Sequence, residues 1–342
     1  MKPGRRPATI AAIRHFLNTY DWSRPEIEAL LDDARALKES PNGDALTDKT
    51  IALVFLNSSL RTRTSFEVGA RQLGGDAVVL TPGGMWSLEF EEGAVMLGEA
   101  EEHAKEAAKV LSRYVDLIGV RAFPKLDDWQ EDRKDKVLGA FAAHADVPVI
   151  NMETITHPCQ ELALAMALQD RLGRLDGKKL LLTWSHHPKP LNTAVANSAL
   201  MIAAKLGMDV TLLTPTEDYA LDERYMRIAR DSAEAAGRTI AVTHDIEPAY
   251  DGADVVYAKS WGALPYAGRW DEEKPIRDAH RHFIVDEEKM ALTNNAVVSH
   301  CLPMRRNVIM TDAVFDSPAC AAYDEAENRL HVQKAVMKEL TR

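Results

Sequence analysis

Cysteine is scarce: Cys159, Cys301 and Cys320 stand far apart in 342 residues, an odd number with no CxxC pair. That usage excludes a disulfide framework, argues against a zinc or redox pair, and points to a reduced, intracellular setting. Positive charge is also in the minority. Lys and Arg number 41 against 52 Asp and Glu, giving a net charge of -11, a field that repels nucleic acid. A small phosphorylated molecule remains compatible, but only in a pocket whose own arginines overcome that background. No run approaches the roughly 18 consecutive apolar residues of a membrane span, and the basic opening MKPGRRPATIAAIRHF carries too short an apolar stretch for a signal core. A soluble, cytoplasmic protein with no membrane or nucleic-acid partner is therefore expected. Neither GxGxxG after a strand nor GxxxxGK[ST] occurs, which argues against a nucleotide-binding oxidoreductase or a P-loop enzyme. Fixed-period repeats and low-complexity tracts are lacking too. His186-His187 is no metal signature, because neighbours in a strand point to opposite faces.

What is present is ordinary globular composition, 46% apolar and 27% charged, enough for two domains of common size. Ser23 and Glu26 have capping-box spacing, Pro25 suits a first turn, and Ile27, Leu30, Leu31, Ala34 and Leu37 share one helical face. Short apolar runs follow at 50–56, 77–80, 115–120 and 147–150, each trailed by a helical pattern. After an apolar helix near His157 the runs resume at 179–184, 210–214, 240–244, 255–258 and 297–300. Strands alternating with helices predict an α/β fold of two doubly wound parallel-sheet domains, joined by interdomain helices near residues 152–172. A last helix, from about residue 325 to 340, presents Leu330, Val332, Ala335, Val336 and Leu340.

Four segments carry chemistry. Ser58-Ser59-Leu60-Arg61-Thr62-Arg63-Thr64-Ser65 packs two arginines and five hydroxyls between the first strand and a helix. Free backbone N–H groups and the positive helix end make that junction an anion site. Thr156-His157-Pro158-Cys159-Gln160 follows a strand at the carboxyl edge, where ligands of open α/β sheets collect. There His157 can donate to a developing oxyanion and Gln160 can hold an amide-like group. In His300-Cys301-Leu302-Pro303-Met304-Arg305-Arg306, nearby arginines would favour a thiolate if Cys301 were a nucleophile; no His/Asp partner can be assigned, and a small buried structural cysteine is the default. Glu327-Asn328-Arg329 lies in the final helix, where an arginine is ordinarily solvated.

In this order the segments closely resemble the aspartate/ornithine transcarbamylase family, whose members carry a Ser-x-Arg-Thr-Arg-Thr phosphate loop, His-Pro-Cys-Gln or a near variant, His-Cys-Leu-Pro and a late Arg. The resemblance covers nearly the whole chain. It implies a carbamoyl-phosphate-binding domain over 1–152, an acylornithine-binding domain over 153–324, and a C-terminal helix over 325–342 that packs back on the first. No cofactor and no metal are expected. Carbamoyl phosphate would meet Ser59, Leu60, Arg61 and Thr62, then Arg121, His157, Pro158, Cys159 and Gln160, and finally Cys301, Leu302 and Arg329. Arg121, His157, Gln160 and Cys301 would surround the reacting atoms.

The sequence departs from the ornithine enzymes at the amino-acid site, where they carry an Asp and a Ser-Met-Gly loop. Here the segment reads Val256-Tyr257-Ala258-Lys259-Ser260-Trp261-Gly262. Losing the acid argues against a charged α-amine, and Lys259 supplies a cation for an α-carboxylate. In this, and in NMETITHPCQ, HPKPLNTAVANS and YAKSWGALP, the chain is similar to the N-acetylornithine branch of arginine biosynthesis. That similarity implies N-acetyl-L-ornithine as acceptor, held by Glu153, Lys259 and Leu302, and a homotrimer with shared sites in which Trp86 reaches a neighbour's carbamoyl phosphate. Glu101 stands where acetyl-specific members have glutamate and succinyl-specific ones proline. The alternatives are an N-succinylornithine or ornithine enzyme, or a catalytically silent carbamoyl-phosphate binder that regulates a partner.

Overall fold

The computed structural model describes residues 13–342; most of the basic opening segment lies outside them. Ser23 starts the first long helix, Arg24–Glu39, through the reciprocal capping box with Glu26, and Pro25 sits in the first turn where no N–H partner is lost. Its apolar face, Ile27, Leu30, Leu31, Ala34 and Leu37, is buried.

Apolar runs of three to six residues, too short for helices, form the sheets. The first contains β1 (Thr50–Phe55), β2 (Asp76–Leu80), β5 (Leu117–Arg121) and β6 (Val149–Glu153), in the order β2-β1-β5-β6. Between its strands lies a small parallel pair, β3 (Leu88–Glu89) and β4 (Glu102–His103). That pair was not legible in the sequence, because two residues carry no alternation. The second sheet contains β7 (Lys179–Trp184), β8 (Asp209–Leu213), β9 (Ile240–Thr243), β10 (Val255–Lys259) and β11 (Val297–Ser299), in the order β11-β10-β7-β8-β9. Every pairing in both sheets is parallel.

The strand order reverses between β1 and β5 in the first sheet and between β7 and β10 in the second. Register places Phe55 beside Arg121 and Trp184 beside Lys259 at those crossings. Crevices at the carboxyl ends of such crossings are where open α/β sheets bind ligands.

Two helices weld the halves. Pro158–Leu172 is buried from Pro158 through Leu168. The last helix, Ala322–Leu340, packs against Arg24–Glu39, Arg61–Gln72 and Pro158–Leu172. It begins at Ala322 rather than near residue 325, and its buried face is not the apolar stripe alone. Glu325, Asn328, Arg329, Gln333 and Lys334 are buried with Val332, Ala335 and Val336, whereas Leu330 and Leu340 are only partly covered. Hydrogen bonds make that possible: Lys334 Nζ donates to Leu37 O, Pro41 O and Gln72 Oε1, each at 2.9 Å.

Candidate active site

The two crossings open into one cleft of about 600 Å³. Its first wall is the loop after β1. The Ser59 hydroxyl, just before the Leu60 N-cap of the helix Arg61–Gln72, accepts from Thr62 N–H at 3.2 Å, and Ser58, Ser59, Leu60, Arg61 and Thr62 line the cleft. Arg61 is half-buried, and burial lowers its pKa. Arg63 is not part of the cleft: it is exposed and pairs with Glu67 one turn on.

The second wall comes from β5 and β6. Arg121, at the end of β5, donates to Thr62 Oγ1 at 3.1 Å and to Glu153 at 2.5 Å. Glu153 also lies 3.3 Å from His157 Nε2. The His157 backbone N–H donates to Ser198 Oγ at 2.8 Å, while its Nδ1 is buried without a partner. Burial, reinforced by the charges of Arg329, Arg121 and Arg61, holds the His157 imidazole well below its ordinary pKa, so it is neutral at pH 7. Gln160, on the next turn, accepts from Arg329 Nη1 at 2.8 Å; Arg329 Nη2 reaches Thr62 Oγ1 at 2.7 Å. Arg329 therefore bridges the two motifs from the last helix, and burial brings its pKa down to about 10.

The second sheet supplies Lys259, Cys301, Leu302 and Pro303. Lys259 is buried, donates to Ser260 O at 3.1 Å, and has no carboxylate within ion-pair distance among the described residues. Cys301 is a buried thiol, as the default reading of its motif has it. Arg305 donates to His187 and Arg306 pairs with Asp312 and Asp316, so both turn away, and burial pushes the thiol up to about 11. Leu302 adopts a left-handed backbone, φ 54°, a conformation that costs a leucine roughly 1 to 3 kcal/mol and turns the chain at the cleft edge.

Four cations, Arg61, Arg121, Lys259 and Arg329, thus face one carboxylate, Glu153, in a chain of net charge -11. Such a cleft concentrates small anions. Of the expected residues, Pro158 and Cys159 do not line it: Cys159 is fully buried, and desolvation lifts its thiol to about 12. Trp86 and Glu101 are exposed and lie outside the single chain's cleft. Phe123, whose ring carries the Arg121 guanidinium at 4.5 Å, and Leu126, Leu191 and Asn192 line it without having been singled out. His186 and His187 do diverge, but beyond the end of β7 rather than within a strand. His186 meets Asp278 at 3.1 Å and His187 faces the cleft. No group of three or more His, Cys, Asp or Glu among the described residues could hold a metal ion.

Two family models match this architecture: the aspartate/ornithine carbamoyltransferase carbamoyl-P binding domain over residues 14–170, and its Asp/Orn binding domain over 191–340. The chain belongs to the aspartate/ornithine carbamoyltransferase family. This carbamoyltransferase is 66% identical over 332 residues to the N-acetylornithine carbamoyltransferase of Xanthomonas campestris pv. campestris, covering 96% of this chain and 98% of that one. It is 37% identical over 295 residues to the N-succinylornithine carbamoyltransferase of Bacteroides fragilis, covering 86% and 87%. Its fold matches a crystal structure of acetylornithine transcarbamylase complexed with acetylcitrulline, with a TM-score of 0.95, 66% identity, and coverage of 96% of this chain and 99% of that one.

Proposed function

We propose that this enzyme transfers the carbamoyl group of carbamoyl phosphate to the δ-amine of N-acetyl-L-ornithine, giving N-acetylcitrulline and phosphate for arginine biosynthesis. One observation carries the choice of acceptor: among the described residues Lys259 is a buried cation without a carboxylate, and the only lining carboxylate, Glu153, is engaged by Arg121. The cleft therefore offers a counter-ion to an α-carboxylate and none to a free α-ammonium, which suits an acylated ornithine. The relatives' names agree with that reading.

In the reaction, Ser59, Leu60, Arg61 and Thr62 hold the phosphate from the helix start, with Arg329 closing over it. Arg121 and neutral His157 donate toward the carbamoyl oxygen as it gains charge, and Gln160 orients the carbamoyl amide. The δ-amine attacks the carbonyl carbon, the C–O bond to phosphate breaks, and no covalent protein intermediate forms. Neither the cation-surrounded His157 nor the protonated Cys301 suits as base. The departing phosphate, which carries up to two negative charges, takes the amine proton. Holding both substrates in line supplies much of the acceleration.

The assembly in this reading is a cytoplasmic homotrimer with shared sites. Trp86 is 67% exposed, and the segment from β3 to β4 also exposes Val95 and Leu97, apolar surface that a second subunit would cover. No helix among the described residues is long and apolar enough to cross a membrane. Initial rates with ornithine, N-acetylornithine, N-succinylornithine and aspartate test the acceptor. N-acetylornithine is expected to lead, and a faster rate with free ornithine would refute the reading.

A further inference from the structure

Behind Gln160 lies a carboxylate that the reaction does not use. Glu325, in the first turn of the last helix, is completely buried and has three donors. Gln160 Nε2–H and Tyr257 O–H, at 2.9 Å, donate to its Oε1, and Ser299 O–H donates to its Oε2. Burial is the largest influence and raises the Glu325 carboxyl above its ordinary range, while the three donors, with Arg329 one turn further on, pull it back toward the accepting carboxylate form.

We propose that Glu325 is a positioning residue that fixes which end of the Gln160 amide faces the ligand, making Gln160 an acceptor for the carbamoyl NH2 group. The inference rests on carbamoyl phosphate being the ligand. A guanidinium only donates and a carboxylate only accepts. With Gln160 between Arg329 and Glu325, a single amide orientation makes both bonds: Oε1 toward Arg329, which lines the cleft, and Nε2 toward Glu325, which does not. Flipping the amide would set donor against donor and acceptor against acceptor, leaving buried groups unpaired. Oε1 keeps a second lone pair for the ligand. The other two donors tie the same carboxylate to the second sheet, each two residues before a cleft residue: Tyr257 before Lys259 and Ser299 before Cys301. One buried carboxyl group thus aligns the orienting amide with the acceptor side.

The test compares carbamoyl phosphate with acetyl phosphate, which keeps the phosphate and carbonyl but has methyl in place of NH2. In the unmodified enzyme acetyl phosphate should bind at least about tenfold more weakly, because a site built to accept N–H bonds rejects an analogue lacking them. In Glu325→Leu, which leaves no acceptor for Gln160 Nε2–H, binding of carbamoyl phosphate should weaken about tenfold or more while the acetyl phosphate inhibition constant stays within about threefold, so that discrimination collapses. Glu325→Gln, whose amide oxygen can still accept from Gln160, and Tyr257→Phe, which removes one donor to Glu325 but leaves its bond to Gln160, should keep the discrimination within about threefold. Equal weakening of both ligands in Glu325→Leu would reduce Glu325 to a structural residue and overturn the proposal. A ratio near one in the unmodified enzyme would overturn it without any variant having to fold. An unmodified enzyme that releases no phosphate from carbamoyl phosphate on adding N-acetylornithine would instead refute the functional reading itself.

Discussion

Replacing Lys259 with Met removes the charge at the acceptor end while keeping the length and apolar stem of the side chain, so packing around β10 is disturbed little. Among the described residues Lys259 is the one cation the second sheet sends into the cleft, and its one hydrogen bond within the protein is to a backbone carbonyl, Ser260 O. An α-carboxylate bound there therefore has Lys259 as its main partner. Losing a charge-assisted hydrogen bond costs about 1.5 to 3 kcal/mol, and leaving the substrate's carboxylate unpaired in a partly desolvated cleft adds to it. A total of about 2 to 4 kcal/mol corresponds to a fall in kcat/KM for N-acetylornithine of roughly 30- to 1000-fold. The decisive control is the substrate. N-acetyl-1,4-diaminobutane is N-acetylornithine without its carboxylate, so comparing both amines on both enzymes makes a double-mutant cycle between Lys259 and that carboxylate. Initial rates of phosphate release should show the native enzyme strongly preferring N-acetylornithine and Lys259→Met having little preference left. If the variant is slower with both amines by the same factor, Lys259 does not bind the carboxylate, and the argument for an acylated acceptor fails.

Arg61→Ala removes a phosphate donor and should lower kcat by about 2 to 4 kcal/mol of transition-state stabilisation; turnover near that of the native enzyme would displace the reaction from this cleft. Mixing inactive Trp86→Ala with inactive Arg121→Ala should restore part of the activity after subunit exchange, since hybrid trimers contain sites with both residues, and no recovery would count against sharing. Glu101→Ala should raise the ratio of kcat/KM for N-succinylornithine over N-acetylornithine by removing a repelling carboxylate, whereas an unchanged ratio leaves Glu101 a surface acid. Glu161 concerns stability. It is fully buried, neither oxygen has a well-aligned hydrogen bond although the Thr19 and Ser198 hydroxyls lie close, and burial lifts its carboxyl from 4.5 to about 8. The folded protein holds this proton where the unfolded chain has lost it, so the penalty is absent below pH 4.5, grows as pH rises, and levels off above 8 at roughly 4 to 5 kcal/mol. Glu161→Gln should therefore gain resistance to urea relative to the native protein at pH 8.5 and much less at pH 5.5. An advantage equal at both values would show that the charge is not the cause.

What the sequence disclosed depends on how each residue is held. The buried parallel strands stand out as apolar runs because both their faces are covered, and the anion loop is readable because hydroxyls and Arg61 crowd a strand-to-helix junction. The ligand edge then follows from strand order, since both crossings bring their carboxyl ends to one crevice. Cys301 follows the default reading of a small buried cysteine, since sequence proximity to Arg305 and Arg306 says nothing about direction: both arginines leave for other partners, and desolvation decides the thiol. Trp86 and Glu101 are exposed and line no part of the cleft of one chain, so a local motif match could not say what they touch. The last helix hid most. Its apolar positions suggested an ordinary packing stripe, yet Arg329, Glu325 and Lys334 are buried through bonds to residues 267, 165 and 297 positions away for Thr62, Gln160 and Leu37 respectively. No local pattern encodes such partners. A buried carboxylate or ammonium is stable only where the rest of the fold brings donors or acceptors to it. In this enzyme the bonds of Arg329 and Glu325 converge on Gln160 and Thr62, which line the cleft, while those of Lys334 fix the same helix to the first half.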